Sequence, residues 1–456
     1  MLRRLQCSSQ RYDWGKLGSS SMVARLITAG SSNAEVKISE SEHFAELWMG
    51  THPSGPSSVF DDKEESEHSV NETLQSYLTR NSSALGVEPY SLTTGALPYL
   101  FKVLSIEKAL SIQAHPDSKL AKKLHSERPN VYKDPNHKPE MACALTTFEA
   151  MCSFRPPSEI ASNIKRVPEL VLLVGGNEKA ATLTKAADLV TTSNTEENIA
   201  NFALELKTAY STLMTQPVDV VDEAFSLLKT RLEKEAINTR EEKTELVQLD
   251  ESNPFSKLTA DACALRLCSQ YPGDVGVFSP FLLNVITLQP GDAIFLGANE
   301  PHAYLSGDCI EIMACSDNVV RAGLTPKFKD VSILCEMLTY KCGQPEILKG
   351  ITFQKKESCV AREYTAPVPE FMLQQFLIPK GESQSSLLLP SVLSAAVLIV
   401  INGSGIIESI ESNKDIPIKR ISQGQVLLQH AGTQMTLSSS NTDIDLLVFR
   451  ASVAAS

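Results

Sequence analysis

The sequence predicts a mainly β protein with an all-helical insert. Short apolar runs bounded by turn residues occur before about residue 155 and again after about residue 262, which is typical of strands. Between these regions the apolar residues recur at the spacing of an amphipathic helix. One such series is Ile199, Phe202, Leu206, Tyr210 and Leu213.

Three units are expected from the length of the chain and from this change of period. A chain of 456 residues is too long for one ordinary core. We predict a discontinuous β core formed by residues 1–155 and 262–345, a helical insert over residues 156–261, and a second β-rich unit over residues 346–456.

The individual elements of the first β region are expected as follows. Strands are predicted over residues 22–26, 45–49, 97–106 and 110–115. Pro116 and Asp117 are residues typical of a helix start, so a short helix is predicted directly after the last of these strands.

After the insert, the β pattern returns. Strands are predicted over residues 281–288, 293–296 and 309–313, separated by turns at 290–292 and 306–308. In the C-terminal unit, the dipeptide Asn402-Gly403 predicts a β-hairpin between the apolar runs 397–401 and 406–407.

Charge and cysteine content restrict the class of function. A net charge of -12 and a pI near 5.3 argue against nucleic acid or an acidic membrane as the main partner, so an anionic substrate would need a locally basic pocket. The ten cysteines are scattered without a CxxC spacing, which predicts reduced thiols.

Because the sequence has neither a signal-peptide pattern nor a membrane-spanning apolar stretch, we expect a cytoplasmic protein. A monomer is expected, although the sequence does not determine the oligomeric state.

Three polar segments point to a metal site. On the predicted strand at 110–115, Ser111, Gln113 and His115 lie on one face and apolar residues on the other. The segment YKDPNHKPE at 132–140 is a rigid polar loop, and His302 and Tyr304 share a face after a Pro-Gly-Asp turn, as in the small metal-binding barrels called cupins. Each segment alone could be a solvent-facing strand edge or an exposed turn. Together, two imidazoles, a carboxylate and an amide oxygen suit Zn²⁺.

These segments resemble the type I phosphomannose isomerases. YKDPNHKPE at 132–140 matches one signature of that family, and the run from His302 to Lys327, with its SDNVVRAGLTPK ending, matches another. RYDWG at 11–15, AELWMGTHPSG at 45–55 and LSIQAHPD at 110–117 are also similar to the family. The resemblance therefore extends over both halves of the predicted β core.

The resemblance implies a zinc enzyme with a cupin-type catalytic core, an inserted helical domain and a second jelly-roll unit at the C-terminus. By motif position it implies one zinc ion per chain, with the ligands Gln113, His115, Glu140 and His302. It implies that Arg321 is catalytic. The implied reaction interconverts mannose 6-phosphate and fructose 6-phosphate and feeds the supply of activated mannose (GDP-mannose).

Such an isomerisation needs a base, an acid and stabilisation of an enediol(ate), but no nucleotide-binding motif. Glu311 is the leading candidate for the carbon base, and Asp317 and Lys138 are alternatives. For Glu311 and Asp317, a salt bridge that merely holds Arg321 is the competing structural explanation.

The substrate phosphate needs cations in a chain that is acidic overall. Lys102, Lys138 and Lys327, with the hydroxyl of Ser111, are the candidates by motif membership, although each lysine could be a solvated surface residue. The sugar pocket is expected to be lined by Trp14, Glu46 and Tyr304. Trp14 could equally be a core aromatic.

Two other functions fit parts of the pattern. A non-haem iron cupin oxygenase could use two histidines and a carboxylate, but the fourth ligand and the lysines argue against it. A non-enzymatic sugar-binding or storage cupin could keep the fold without the chemistry. Retention of Arg321, Lys138 and Glu140 argues against this second alternative.

Overall fold

The computed structural model describes residues 2–31, 37–60, 72–86, 94–242, 258–382, 385–410, 419–441 and 443–454, with the backbone alone for 238–242. Within these residues, the first and last thirds of the chain form mainly β-sheets and the middle third forms helices. The predicted fold class is therefore confirmed.

The elements before the helical region are mostly short strands. They are β1 (Leu2–Gln6), β2 (Ser8–Gln10), β3 (Lys16–Leu17), α1 (Met22–Gly30), β4 (His43–Phe44), β5 (Glu46–Met49), β6 (Ser58–Val59), β7 (Glu72–Thr73), α2 (Leu74–Arg80), α3 (Ser82–Leu85), β8 (Tyr99–Ile106), β9 (Ile112–Ala114), α4 (Ser118–Glu127), β10 (Glu140–Ala144) and β11 (Phe148–Phe154).

Helices follow, and then the chain returns to strands. The helices are α5 (Pro157–Arg166), α6 (Pro168–Leu173), α7 (Asn177–Thr192), α8 (Glu196–Met214), α9 (Val218–Glu242) and α10 (Ala260–Gln270). The returning elements are β12 (Leu283–Leu288), β13 (Ala293–Leu296), β14 (His302–Ala314), β15 (Val320–Gly323) and α11 (Val331–Met337).

The C-terminal elements are all strands. They are β16 (Ile351–Lys356), β17 (Cys359–Tyr364), β18 (Met372–Ile378), β19 (Ser386–Leu389), β20 (Ala396–Asn402), β21 (Ser404–Ser409), β22 (Lys419–Ser422), β23 (Val426–Gln429), β24 (Met435–Ser439) and β25 (Leu446–Ser452).

One ten-stranded sheet forms the β core. Its main path is β12-β11-β14-β8-β5-β2, and β9, β10, β13 and β15 join it at the side. Strand β14 is central because it pairs with β8, β9, β10 and β11. The sheet curves around an apolar interior that includes Leu104, Ala142, Phe148, Ile286 and Ile294.

Strand β14 contains a bulge where a turn was expected. The predicted turn at 306–308 is wrong, because one 13-residue strand runs through it. Tyr304 pairs with Ala150 and Ser306 pairs with Glu149, so Leu305 is an extra residue in this strand. Gly307 has a φ of +108°, in the region that favours glycine. The bulge shifts the alternation of side chains by one residue, so Tyr304 and Glu311 both face the interior.

The predicted strand at 22–26 is also wrong, because these residues begin helix α1. Ser21 caps the helix by accepting a hydrogen bond from the backbone N–H of Ala24 at 3.3 Å. Val23, Ala24 and Leu26 are buried. A short apolar run fits the period of a helix as well as that of a strand, and here the cap decides.

The C-terminal strands form two sheets that pack face to face. A nine-stranded sheet has the order β16-β17-β18-β25-β20-β23-β1-β6-β7, and a four-stranded sheet has the order β19-β24-β21-β22. The predicted hairpin at Asn402-Gly403 is wrong, because β20 and β21 belong to different sheets. The chain instead crosses between the sheets at Gly403, which has a φ of +81°. The first strand of the chain, β1, pairs with β23.

The helices pack on the outside of the β core. Phe202, Leu206, Tyr210 and Leu213 are buried, as predicted, whereas Ile199 is 46% exposed near the start of α8. Tyr210 meets Phe154 at the end of β11 with ring centroids 5.3 Å apart. The division of the chain into the three predicted units stays a prediction. None of the helices described here combines the length and the apolar character needed to cross a membrane.

Candidate active site

Two histidines and a glutamate meet inside the curved sheet. His115 Nε2 lies 3.3 Å from Glu140 Oε1, and His302 Nε2 lies 3.5 Å from Glu140 Oε2. The three candidate ligand atoms all lie within 4.8 Å of one another, and the three side chains are at most 2% exposed. Three distant segments of the chain therefore supply one compact donor set.

Backbone carbonyls orient both imidazole rings. His115 Nδ1 lies 2.7 Å from the carbonyl oxygen of Asn318, and His302 Nδ1 lies 3.1 Å from that of Glu300. An Nδ1–H that donates to a carbonyl leaves the Nε2 lone pair free for a metal. The Asn318 amide in turn donates to the backbone oxygen of Asp134 at 2.7 Å, which ties this support to the loop 132–140.

The donor set fits a divalent ion of the zinc type. Within the described part of the chain, His115 Nε2 and Glu140 Oε2 are buried without a hydrogen-bond partner, and such atoms are costly unless a ligand satisfies them. Burial lowers the pKa of His115 to about 4, so its imidazole is neutral at pH 7. Burial alone would raise the pKa of Glu140, but the neighbouring His115 and the charge of Lys138 hold it well below its ordinary value. Neutral imidazoles with an ionised carboxylate are typical zinc ligands.

Gln113, the fourth predicted ligand, lies beside this group. Strand β9 runs between β14 and β15, and Gln113 pairs with both His302 and Arg321. Its amide nitrogen is 3.4 Å from His302 Nε2, while Ser111 Oγ donates to its amide oxygen at 3.2 Å. An amide coordinates a metal through oxygen, so Gln113 would ligate after its amide group turns over.

A second buried cluster combines a lysine with two carboxylates. Lys102 Nζ donates to Glu311 Oε2 at 2.9 Å and lies 3.4 Å from Glu46 Oε2. Burial alone would lower the pKa of Lys102, but Glu311, Glu46 and Glu140 together raise it. Burial is the main reason that the pKa of Glu311 is raised, and Glu140 and Glu46 add to the shift against the opposing charge of Lys102. A charged lysine thus stands beside a carboxylate that accepts protons readily.

Both clusters open into one cavity of about 540 Å³. His115 and His302 lie next to Glu140, which lines the cavity, and the other predicted site residues line it as well. These are Trp14, Glu46, Lys102, Ser111, Gln113, Lys138, Glu140, Tyr304, Glu311, Asp317, Arg321 and Lys327. The structure therefore brings all the predicted site residues together, while their individual roles stay predictions.

The competing salt-bridge explanation for Glu311 and Asp317 does not match the geometry. Glu311 pairs with Lys102, and Asp317 Oδ1 lies 3.4 Å from His52 Nε2. The side chain of Arg321 has no ion pair or hydrogen bond among the described residues. Burial lowers the pKa of Arg321 without a compensating carboxylate. Arg321 is thus a cation whose charge is left for a ligand.

Sequence reasoning missed several residues of the cavity wall. Trp48 donates its indole N–H to Glu46 Oε2 at 2.5 Å, and its ring lies 5.2 Å from Lys102 Nζ. His52 is 5% exposed and also lines the cavity. Both stand in AELWMGTHPSG at 45–55, so the motif was the available signal. Lys108 also lines the cavity and lies outside every motif.

Comparisons with known protein families agree with this geometry. The model of the phosphomannose isomerase type I catalytic domain matches residues 2–157, and that of the helical insertion domain of the same enzymes matches residues 176–283. Mannose-6-phosphate isomerase 1 of Arabidopsis thaliana is 43% identical over 99% of this chain and 94% of its own length. Mannose-6-phosphate isomerase of Homo sapiens is 41% identical over 98% of this chain and 97% of its own.

Solved structures give the same result. A zinc-bound mannose 6-phosphate isomerase superposes with a TM-score of 0.72 at 27% identity, and the match covers 100% of both chains. A mutant of phosphomannose isomerase from Salmonella typhimurium superposes with a TM-score of 0.73 at 26% identity, again over 100% of both. Sequence identity above 40% over nearly the whole chain, together with the shared fold, shows that this chain belongs to the type I phosphomannose isomerase family.

Proposed function

We propose that the chain interconverts mannose 6-phosphate and fructose 6-phosphate at a zinc centre. The observation that carries the proposal is the convergence of His115, Glu140 and His302 beside a cavity that holds both a buried lysine-carboxylate cluster and an unpaired arginine. The names of the relatives, which are mannose-6-phosphate isomerases over almost their whole length, support the same reaction. The reaction would connect fructose 6-phosphate with the mannose phosphate from which activated mannose is made.

The proposed metal ligands are Gln113, His115, Glu140 and His302. When bound there, zinc would supply Lewis acidity toward the oxygens at C1 and C2 of the open-chain sugar. The residues of the chain then have to orient the sugar, move one proton between C2 and C1, and move another between the two oxygens.

Glu311 is the proposed base for the carbon-bound proton. It lines the cavity, is 4% exposed, and has a raised pKa that suits a group that must both take up and return a proton. Asp317 is less suited, because its hydrogen bond with His52 is the main cause that lowers its pKa. Lys138 lies 3.2 Å from Glu140 Oε1, and we propose that it supports that ligand and serves the sugar oxygens.

Lys102 and Glu46 are proposed to hold Glu311 and the sugar in position. Lys102 Nζ sits between the two carboxylates and can donate hydrogen bonds to a sugar hydroxyl as well. Tyr304 and Trp14 line the same cavity and are proposed as its walls. Arg321, Lys327 and the hydroxyl of Ser111 are proposed to receive the phosphate, since Arg321 and Lys327 have no carboxylate partner among the described residues.

We also propose a division into a β core, a helical insert and a C-terminal β unit, and a monomer in the cytoplasm. The packing of α5–α10 against the core supports the helical unit. All ten cysteines are free thiols, which supports a reducing compartment.

A coupled assay and a metal determination test the proposed function together. Purified protein should form fructose 6-phosphate from mannose 6-phosphate and contain about one zinc per chain. A chelator should remove the activity and added zinc should restore it. Iron in the protein with oxygen uptake and no isomerase activity would favour the oxygenase alternative and exclude the proposal.

A further inference from the structure

The cations of the cavity wall fall into two groups. Lys102 and Lys138 are buried and lie within 3.4 Å of carboxylates, and Arg11 pairs with Glu42 at 2.6 Å. The cavity-lining cations without a carboxylate partner among the described residues are Arg321, Lys327 and Lys108. A dianionic phosphate gains most from charges that are not already neutralised.

Lys108 has a position fixed by its neighbours in the fold. Its backbone N–H donates to the carbonyl of Trp14 at 3.1 Å, which also accepts from Glu107. The next residue, Ala109, donates to Gln270 Oε1 at 3.1 Å and accepts from Tyr271 Oη at 2.5 Å. The backbone of Lys108 is thus held between the N-terminal segment and the end of helix α10.

The side chain of Lys108 has an aromatic support. Its Nζ lies 4.3 Å from the centre of the Tyr271 ring, and Tyr271 lines the same cavity. Lys327 has a similar arrangement, with Nζ 5.5 Å from the centre of the Tyr12 ring. A tyrosine face steadies an ammonium group without neutralising its charge, so both lysines keep their charge for an anion.

Lys108 also lies close in sequence and in space to the predicted phosphate ligand Ser111. Both residues line the cavity, and only Ala109 and Leu110 separate them. Strand β9 begins at Ile112 and pairs with β15, which carries Arg321. The segment that holds Lys108 is therefore attached to the strand pair that holds the unpaired arginine.

We propose that Lys108 is a phosphate-binding residue that, with Arg321 and Lys327, forms the anion-receiving end of the cavity. This inference rests on the proposed function and adds a residue to its substrate site. The predicted phosphate cations Lys102 and Lys138 would then serve the sugar end, because their charges are already shared with carboxylates.

The test compares Lys108→Met, Lys108→Arg and Lys122→Met. Methionine keeps an unbranched stem beside Tyr271 while removing the charge, arginine keeps the charge, and Lys122 is an exposed lysine on α4 outside the cavity wall. We expect Lys108→Met to raise the KM for mannose 6-phosphate roughly three- to tenfold, with kcat within about twofold of wild type. Lys108→Arg and Lys122→Met should stay within about twofold of wild type.

Inorganic phosphate as a competitive inhibitor gives an independent readout. Its Ki should rise by about the same factor in Lys108→Met, whereas inhibition by unphosphorylated mannose should be unchanged. Equal KM and phosphate Ki in Lys108→Met and wild type would overturn the inference, as would an equal loss of affinity for mannose. Absence of isomerase activity in the wild-type protein would instead refute the proposed function.

Discussion

The cavity and the C-terminal sandwich bury ionisable side chains in opposite ways. In the cavity, Lys102 is 6% exposed and has two carboxylates within 3.4 Å. In the sandwich, Arg450 is 1% exposed, and its hydrogen bonds go to neutral acceptors. These are Gln374 Oε1 at 2.9 Å, Gln429 Oε1 at 2.9 Å and the carbonyl of Pro390 at 2.7 Å.

The difference also appears in the direction of the pKa shifts. Burial lowers the pKa of Arg450 to about 10 against smaller opposing effects of Glu363 and Tyr99, whereas the carboxylates around Lys102 reverse the effect of burial and raise its pKa. A buried cation that only joins strands is satisfied by amides and carbonyls. Carboxylates packed beside a buried lysine, with the pKa of one of them raised, indicate a place where protons are exchanged.

The largest expected effect of a single change at the cavity is that of His302→Ala. The variant should lose bound zinc and lose activity by more than about 10³-fold, because the remaining donors leave the site incomplete. His43→Ala, a half-buried histidine bonded to the carbonyl of Gly15, is the control and should keep both. Retained zinc in His302→Ala, measured by elemental analysis, would contradict the assigned ligand set.

Glu311→Gln separates proton transfer from folding. We expect kcat to fall about 10²- to 10⁴-fold with zinc retained, since the amide cannot accept the carbon-bound proton. Glu169→Gln is the matched control, because Glu169 is 5% exposed and pairs with Arg231 at 2.9 Å in the helical region. It should change the melting temperature and leave kcat unchanged. An active Glu311→Gln enzyme would transfer the role to Asp317 or Lys138.

Arg450→Met tests the buried cation of the C-terminal sandwich. The change leaves the side-chain oxygens of Gln374 and Gln429 without their donor and removes one of two donors from the carbonyl of Pro390, so we expect a loss of about 2–4 kcal/mol in the free energy of unfolding. The kcat of the folded variant should match wild type at 25 °C. Arg420→Met, an exposed arginine on β22, should alter neither quantity. Denaturant titration of the three proteins would detect the difference.

The smallest effect is expected from the pH dependence of stability near His430. Burial lowers the pKa of His430 to about 4, and its Nε2 lies 3.0 Å from Tyr77 Oη. The unfolded chain therefore binds the proton first, and stability falls as the pH drops from about 6.5 toward 4. His430→Gln should show a smaller fall in melting temperature over this interval. Identical pH profiles for the two proteins would show that His430 is not a source of acid sensitivity.

The sequence predicted secondary structure correctly where the spacing or type of the residues is specific to one kind of element. The period of Phe202, Leu206, Tyr210 and Leu213 was enough to predict a packed helix. Strand β13 has the predicted bounds, because a turn at 290–292 delimits it. The apolar run at 22–26 did not distinguish helix from strand, since a run of that length satisfies both periods and Ser21 alone supplied the deciding cap.

The candidate site was predicted mainly through family motifs, so site residues that lie between the motifs were not predicted. Lys108 was missed because a lysine before a strand is ordinarily solvated, and only the fold shows that Trp14 and Tyr271 fix its position. The local structure at Asn402-Gly403 could not be predicted from the sequence either. The glycine of an Asn-Gly hairpin has a positive φ, and so does Gly403 at this crossing between two sheets, so the dipeptide cannot tell the two structures apart.

The extra residue Leu305 in strand β14 has a consequence for changes in chain length. His302 and Glu311 lie nine positions apart, and an unbroken strand would send two such side chains in opposite directions. Deletion of Leu305 would leave the two residues eight positions apart on a regular strand, so both side chains would still face the interior. Deletion of Ile310 with the bulge kept would instead move Glu311 into the position of Ile310, in the apolar layer that also contains Ile312. Deletion of the Ile310 codon should thus abolish catalysis while every reactive side chain is still encoded, whereas deletion of the Leu305 codon should be the milder change.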